Sequence, residues 1–194
     1  MNVLLIQGHP DPAGGHYLNA LADAYARGAT AAGHSVRRIE VARLEVPRLR
    51  SKDEYEHGEA PPAAVAAHAD LAWAGHVVIL YPLWLGTVPS GLQAFFEQVF
   101  RPGFAARVVD ARTGRVEKLL GGRSARVVVT MGMPALAYRW WFRRHSLASL
   151  ERNLLGFVGI APIRETLIGS VEAIGPTKRA KWLATLADLG AQAR

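Results

Sequence analysis

The sequence predicts an α/β fold: a doubly wound parallel sheet with helices on both faces. Two observations carry this. Five short runs that read as strands alternate with helical patterns along the 194 residues, and such alternation implies a parallel sheet covered on both sides. Hydrophobic residues make up 50% of the chain and charged residues 20%, which is enough apolar material for a core and excludes a disordered tail. The length suits one domain, residues 1–194.

The elements follow in order. Val3 to Gln7 is a short apolar run ending at Gly8, as a buried parallel strand would. Leu18, Leu21, Ala22, Tyr25, Ala29 and Ala32 share one helical face, and Gly33 can close that helix in the left-handed conformation. Ser35 to Val41 reads as the second strand. Residues 44 to 62 hold Pro47, Gly58, Pro61, Pro62 and many charges, so a long exposed loop is expected. Ala63 to Trp73 is alanine-rich and helical, and Val77 to Tyr81 is a third strand stopped by Pro82. Leu92, Phe95, Phe96, Val99 and Phe100 form a tight helical stripe assigned to core or subunit packing. Residues 107 to 121 read as a hairpin turning at Thr113-Gly114. Ala125 to Thr130 and Ile163 to Ile168 are the last strands, and Pro176 starts a final helix. Five strands suit the flavodoxin-like order 2-1-3-4-5.

Composition narrows the chemistry. Lys+Arg is 23 and Asp+Glu is 16, so the net charge is 23 − 16 = +7, and the isoelectric point lies near 10.2. A negatively charged partner is expected, a phosphate or nucleotide before a nucleic acid. The absence of cysteine excludes disulfides, thiolate zinc and a Cys nucleophile. The N-terminus has no basic leader, and its apolar run is too short for a signal peptide or membrane span. A cytoplasmic protein is expected.

In a doubly wound sheet, ligands bind beyond the carboxyl ends of the strands at the switch point. The informative segments therefore follow Gln7, Tyr81 and Thr130. The first, Gly8-His9-Pro10-Asp11-Pro12-Ala13-Gly14-Gly15-His16-Tyr17, is a glycine-containing turn into a helix, and suits a phosphate through free amides and the helix dipole. It lacks both the dinucleotide glycine spacing and the Walker lysine. His9 and His16 stand without an acidic or cysteine ligand at zinc spacing, so no metal site is expected. The second, Tyr81-Pro82-Leu83-Trp84-Leu85-Gly86-Thr87-Val88-Pro89, makes a rigid apolar ledge whose amides regular structure cannot all satisfy; a flat ring with polar edges suits it. The third runs from Thr130-Met131-Gly132-Met133-Pro134 to Tyr138, then Arg139-Trp140-Trp141-Phe142-Arg143-Arg144-His145. Arginine interleaved with tryptophan can stack on bases or rim a pocket. Without a recognisable nucleic-acid-binding fold the pocket is preferred, and no nucleic-acid partner is expected. Tyr138 and His145 are the ionisable donors nearest that strand end.

These segments together resemble the NAD(P)H:quinone oxidoreductase family of flavodoxin-like flavoenzymes, over nearly the whole chain. Phe96-Glu97-Gln98-Val99-Phe100-Arg101-Pro102-Gly103-Phe104-Ala105, Lys118-Leu119-Leu120-Gly121-Gly122-Arg123 and Ser149-Leu150-Glu151-Arg152-Asn153 add to the match. The resemblance implies FAD or FMN as cofactor, NAD(P)H as hydride donor, a quinone-like acceptor and a homodimer. It implies that His9 and the turn after it, with His16 and Tyr17, meet the flavin phosphate. Pro82, Leu83, Trp84 and Leu85 then flank the ring, Thr130 and Gly132 bond its polar edge, and Tyr138 and His145 stand at the reacting face as catalytic donors. The chain departs from the family where His16 stands in place of a hydroxyl residue, and Arg144 competes with His145 for the histidine position. A shared slot for donor and acceptor implies ping-pong kinetics. An alternative within the resemblance is a flavin-binding ancillary subunit of a potassium-efflux system.

Overall fold

The computed structural model describes residues 1–110 and 112–194. The main sheet has five strands: β1 (Asn2–Gln7), β2 (Ser35–Glu40), β3 (His76–Pro82), β6 (Ser124–Thr130) and β7 (Ile163–Ile168). Their order is β2-β1-β3-β6-β7, and every pairing is parallel. Counting sheet strands alone, this is the flavodoxin-like order 2-1-3-4-5 that the sequence predicts. The chain leaves β1 for β2 on one side and returns for β3 on the other, so the switch point lies between β1 and β3.

The central strands β1, β3 and β6 are buried almost throughout, because helices cover both faces. Successive side chains go to opposite faces. Val3 and Leu5 join Leu18, Leu21, Tyr25, Val78 and Leu186 on one side; Leu4 and Ile6 join Val77, Ile79, Phe95, Phe96 and Leu71 on the other. The outer strand β2 instead alternates, with Arg37 beyond the core.

Helix α1 (Tyr17–Ala31) covers the first face with α8 (Pro176–Ala191), which begins on the expected proline. The two approach so closely that a Cβ on Gly28 would stand 1.9 Å from the Ala187 carbonyl oxygen, and one on Gly190 2.1 Å from that of Tyr25. The other face carries α3 (Pro62–Trp73) and α4 (Ser90–Val99). Phe95, Phe96, Val99 and Phe100 are all buried within this chain. The aromatic stripe is therefore core, and no part of it is left for subunit packing.

Some elements go beyond the sequence reading. The loop at 44 to 62 contains α2 (Lys52–His57), capped by Ser51, whose Oγ accepts the Glu54 N–H at 3.0 Å. The helix buries no residue, so no apolar face announces it. Strands β4 (Ala106–Asp110) and β5 (Arg115–Lys118) form the predicted hairpin apart from the main sheet; Ala111, within that hairpin, lies outside the described residues. After β6 come α5 (Ala135–Trp140), α6 (His145–Ser149), a π-helical stretch Leu150–Leu155 and α7 (Gly156–Val158), where the sequence reading placed only a turn and an aromatic cluster.

Candidate active site

The first loop folds around Asp11. Its main-chain N–H donates to His9 Nδ1 at 3.1 Å, its Oδ2 lies 2.7 Å from His16 Nε2, and its Oδ1 accepts the Ala13 N–H at 2.8 Å. The two imidazoles stack with centroids 3.8 Å apart. Because Nδ1 of His9 accepts, its proton sits on Nε2, which is left as the donor. Burial, and then the neighbouring His16, hold the His9 pKa below its ordinary value. The Ala13 N–H, and then the bond to His16, hold Asp11 down. His9 is therefore neutral near pH 7, while Asp11 orients His16 as an ionised acceptor.

His16 caps α1 through its main chain: its N–H donates to Asn19 Oδ1 at 3.2 Å. No acidic residue stands in the first turn of α1; the Asp11 carboxylate bonded to His16 stands beside the positive end of its dipole. Beside it, Arg179 lies over the Tyr17 ring at 4.8 Å, and the Tyr17 hydroxyl donates to the Arg179 carbonyl at 3.0 Å. Arg179 is held by the carbonyls of Ile174 and Val171 and pairs with no carboxylate among the described residues. These groups line a pocket of about 400 Å³, together with Pro82, Thr130 and Glu172.

The second loop is more satisfied than the sequence suggests. Leu83 N–H donates to the Thr130 carbonyl at 2.7 Å, tying the ends of β3 and β6. Trp84 and Thr87 exchange main-chain bonds at 3.0 and 2.9 Å. Between them Leu85 and Gly86 take positive φ, 48° and 79°, as the central pair of a tight hairpin turn does. Trp84 and Leu85 are exposed and Leu83 half-buried against the core. The ledge is thus a small rigid knuckle, with the amides of Leu83, Trp84 and Thr87 engaged.

The third loop is tied to the strand beyond it: Met131 N–H donates to Ile168, and Val171 N–H to Met131. Thr130 is buried at the pocket wall, and Gly132 is exposed. Tyr138 is turned into the core and does not line the pocket. It is 1% exposed, its hydroxyl lies 2.8 Å from Ser146 Oγ and accepts the Leu147 N–H at 3.3 Å, and its ring belongs to the core. It is the one buried residue of α5, and its hydroxyl ties that helix to the start of α6. His145 is exposed at the start of α6. Arg144 is held by Glu151 at 3.3 Å and by Glu165, so its charge is spent within the chain.

The structure therefore brings together His9, His16, Tyr17, Pro82 and Thr130. It sets Leu83, Trp84, Leu85, Gly132 and His145 outside the pocket lining and buries Tyr138. Sequence reasoning missed Arg179 and Glu172. One signal was available for Arg179: α8 opens with basic residues and no acidic one in its first turn, against the preference of a helix N-terminus. Such local conflicts mark tertiary roles. Among the described residues no group of three or more His, Cys, Asp or Glu could hold a metal ion, and no helix is long and apolar enough to cross a membrane.

Residues 1–192 match the family described as having a flavodoxin-like fold, and the chain belongs to it. Similar solved structures include Smu.1420 from Streptococcus mutans, with TM-score 0.83 and 21% identity over 99% of this chain and 100% of that one. The NAD(P)H:quinone oxidoreductase from Methanothermobacter marburgensis gives 0.81 and 20%, over 100% and 99%. An FMN-dependent NADH-azoreductase from Bacillus anthracis, in complex with FMN, gives 0.74 and 15%, over 98% and 97%. No curated protein matches the chain.

Proposed function

We propose that this chain, as one flavin-binding domain, is a flavin-dependent NAD(P)H oxidoreductase that reduces quinone-like acceptors in a ping-pong cycle. The observation that carries this reading is the pocket at the switch point, where the α1 N-terminus, the His9 side chain and Arg179 converge. That donor set fits a phosphate: helix amides, a neutral imidazole N–H and a guanidinium without a carboxylate partner. The names of the similar structures, an NAD(P)H:quinone oxidoreductase and an FMN-dependent azoreductase, support the same class of chemistry.

The residues then divide the work. His9 Nε2 and the amides of α1 hold the phosphate, Asp11 fixes the His16 ring beside it, and Arg179 supplies counter-charge. Pro82 and Thr130 bound the slot for the ring. Leu83, Trp84 and Leu85 cover its edge, and Gly132 leaves room at its polar side. The flavin, FAD or FMN, supplies the hydride chemistry when bound. His145 is the exposed donor at the start of α6, and Tyr138 positions that helix. Exposed Trp84, Leu85, Leu136, Trp140, Trp141 and Phe142 support a homodimer packed through this apolar surface. A chain without cysteine suits a cytoplasmic setting.

The purified protein is expected to be yellow and to bleach anaerobically on addition of NAD(P)H. Protein that stays colourless after reconstitution with either flavin overturns the reading. Flavin bound without NAD(P)H turnover points instead to the ancillary-subunit role.

A further inference from the structure

A second polar cluster lies at the opposite, amino edge of the sheet. His76, the first residue of β3, is 2% exposed. Its Nδ1 lies 2.8 Å from Ser124 Oγ, while its Nε2 is buried without a partner among the described residues. Behind it Arg126, also buried, spends its donors on Thr166 Oγ1 at 2.7 Å, the Glu165 carbonyl and the Arg194 main-chain oxygen. His76, Ser124, Arg164 and Arg194 line a pocket of about 210 Å³, and no acidic side chain lines it. Arg164 and Arg194 make no ion pair among the described residues.

We propose that this pocket is an oxyanion site, in which His76 Nε2, Arg164 and Arg194 bind a phosphate group. In the proposed site the Ser124 hydroxyl donates to Nδ1 and the ring proton stands on Nε2, so the histidine is a donor without needing to be charged. Burial, and then the charges of Arg126 and Arg164, hold the His76 pKa down to about 4; the ring is neutral and sits in a field of side-chain cations. A buried polar atom without a partner carries a desolvation cost, and an anion here would satisfy Nε2 and that field together. Guanidinium groups suit the geometry of a phosphate. The volume suits a free phosphate or the end of a small phosphomonoester. The seven residues of β3 set this pocket roughly 20 Å from the switch-point pocket, at ~3.3 Å per strand residue, so it is no part of that site.

The test uses the full chain with saturating FMN, titrated with inorganic phosphate, with ribose 5-phosphate, and with chloride at matched ionic strength. The ring resonances of His76, identified by their loss in His76→Gln, are followed by NMR. They are expected to shift saturably with phosphate beyond the chloride response. Arg164→Gln, an exposed substitution that the fold tolerates, is expected to weaken the response about tenfold or more. His9→Ala is expected to leave it intact, which separates this pocket from the other whether or not flavin binds. Saturation by inorganic phosphate alone assigns a free anion, and tighter binding of ribose 5-phosphate assigns a phosphomonoester. A response no larger than with chloride, or one that Arg164→Gln does not weaken, overturns the proposal.

Discussion

At the carboxyl edge of the sheet the polar groups sit on a loop and on the first turns of helices; at the amino edge they rise from the strands themselves. His9, His16 and Arg179 are half-buried, held in place by main-chain atoms and Asp11, and face a pocket of about 400 Å³. His76 and Arg126 are almost fully enclosed, and strand register sets their positions: His76 lies opposite Ser124, and Arg126 opposite Arg164. The difference teaches that the two edges answer to different constraints. Loops can be re-aimed with little effect on the core, whereas a polar group within a central strand must find its partners inside the protein.

The largest expected effect breaks the carboxyl edge from a distance. Gly28→Val forces α1 from α8, since even a Cβ there meets the Ala187 carbonyl oxygen. A loss of about 3 kcal/mol is expected from urea denaturation, together with weaker flavin retention, because Tyr17 and Arg179 lie on these two helices. A variant as stable as the parent would mean that the helix pair does not hold the pocket.

At the amino edge, acid is the probe. The His76 pKa falls from an ordinary 6.5 to about 4 in the folded chain. Between those values the unfolded chain binds a proton that the folded chain refuses, so stability falls as the pH drops from 6.5 toward 4. This contribution amounts to about 3 kcal/mol, at 1.36 kcal/mol per unit. It is read as the difference in pH slope between the parent and His76→Gln, measured without phosphate. Equal slopes would show that the ring already has a proton acceptor.

Tyr138 sharpens the comparison, because it belongs to the carboxyl half yet is buried like the amino-edge groups. Tyr138→Phe keeps the ring and removes only the hydroxyl that meets Ser146 and Leu147. It is expected to cost about 1 kcal/mol of stability and to leave flavin reduction by NAD(P)H within about twofold of the parent. A fall of tenfold or more in stopped flow would return the hydroxyl to the reacting face. The smallest expected effect on the fold is Trp141→Ser, at an exposed position, within about 0.5 kcal/mol. Light scattering should nonetheless move from twice the 21.0 kDa chain mass toward that mass. An unchanged dimer would place the contact elsewhere.

Much of this was legible before any coordinates. Four of the five sheet strands, β2 excepted, lie where an apolar run or alternation ends at a glycine, proline or threonine, and the alternation with helices implies the sheet order. The loop Gly8 to Tyr17 was legible as a turn into a helix from its glycines and the apolar stripe that follows. Less was legible where the signal is short or shared. The six residues of α2 bury nothing. The stripe from Phe95 to Phe100 has the same period whether it faces a sheet or a partner, so periodicity could not choose between core and interface. Tyr138 follows its strand at a spacing that allows either an outward or an inward ring, and the turn of α5 into α6 selected the inward one.

Local chemistry along the chain was sufficient for the strands, the helix starts and the first loop, because backbone preference and side-chain period act over a few neighbours. Which distant groups meet was decided only by packing. Arg179 comes to Tyr17, 162 residues away, because two glycines let α8 settle against α1. His76 comes to Arg126 and Arg164 because three parallel strands align in one register. Neither meeting has a local cause: a contact across the sheet or between helices depends on the whole core closing, and no short window of sequence contains that energy.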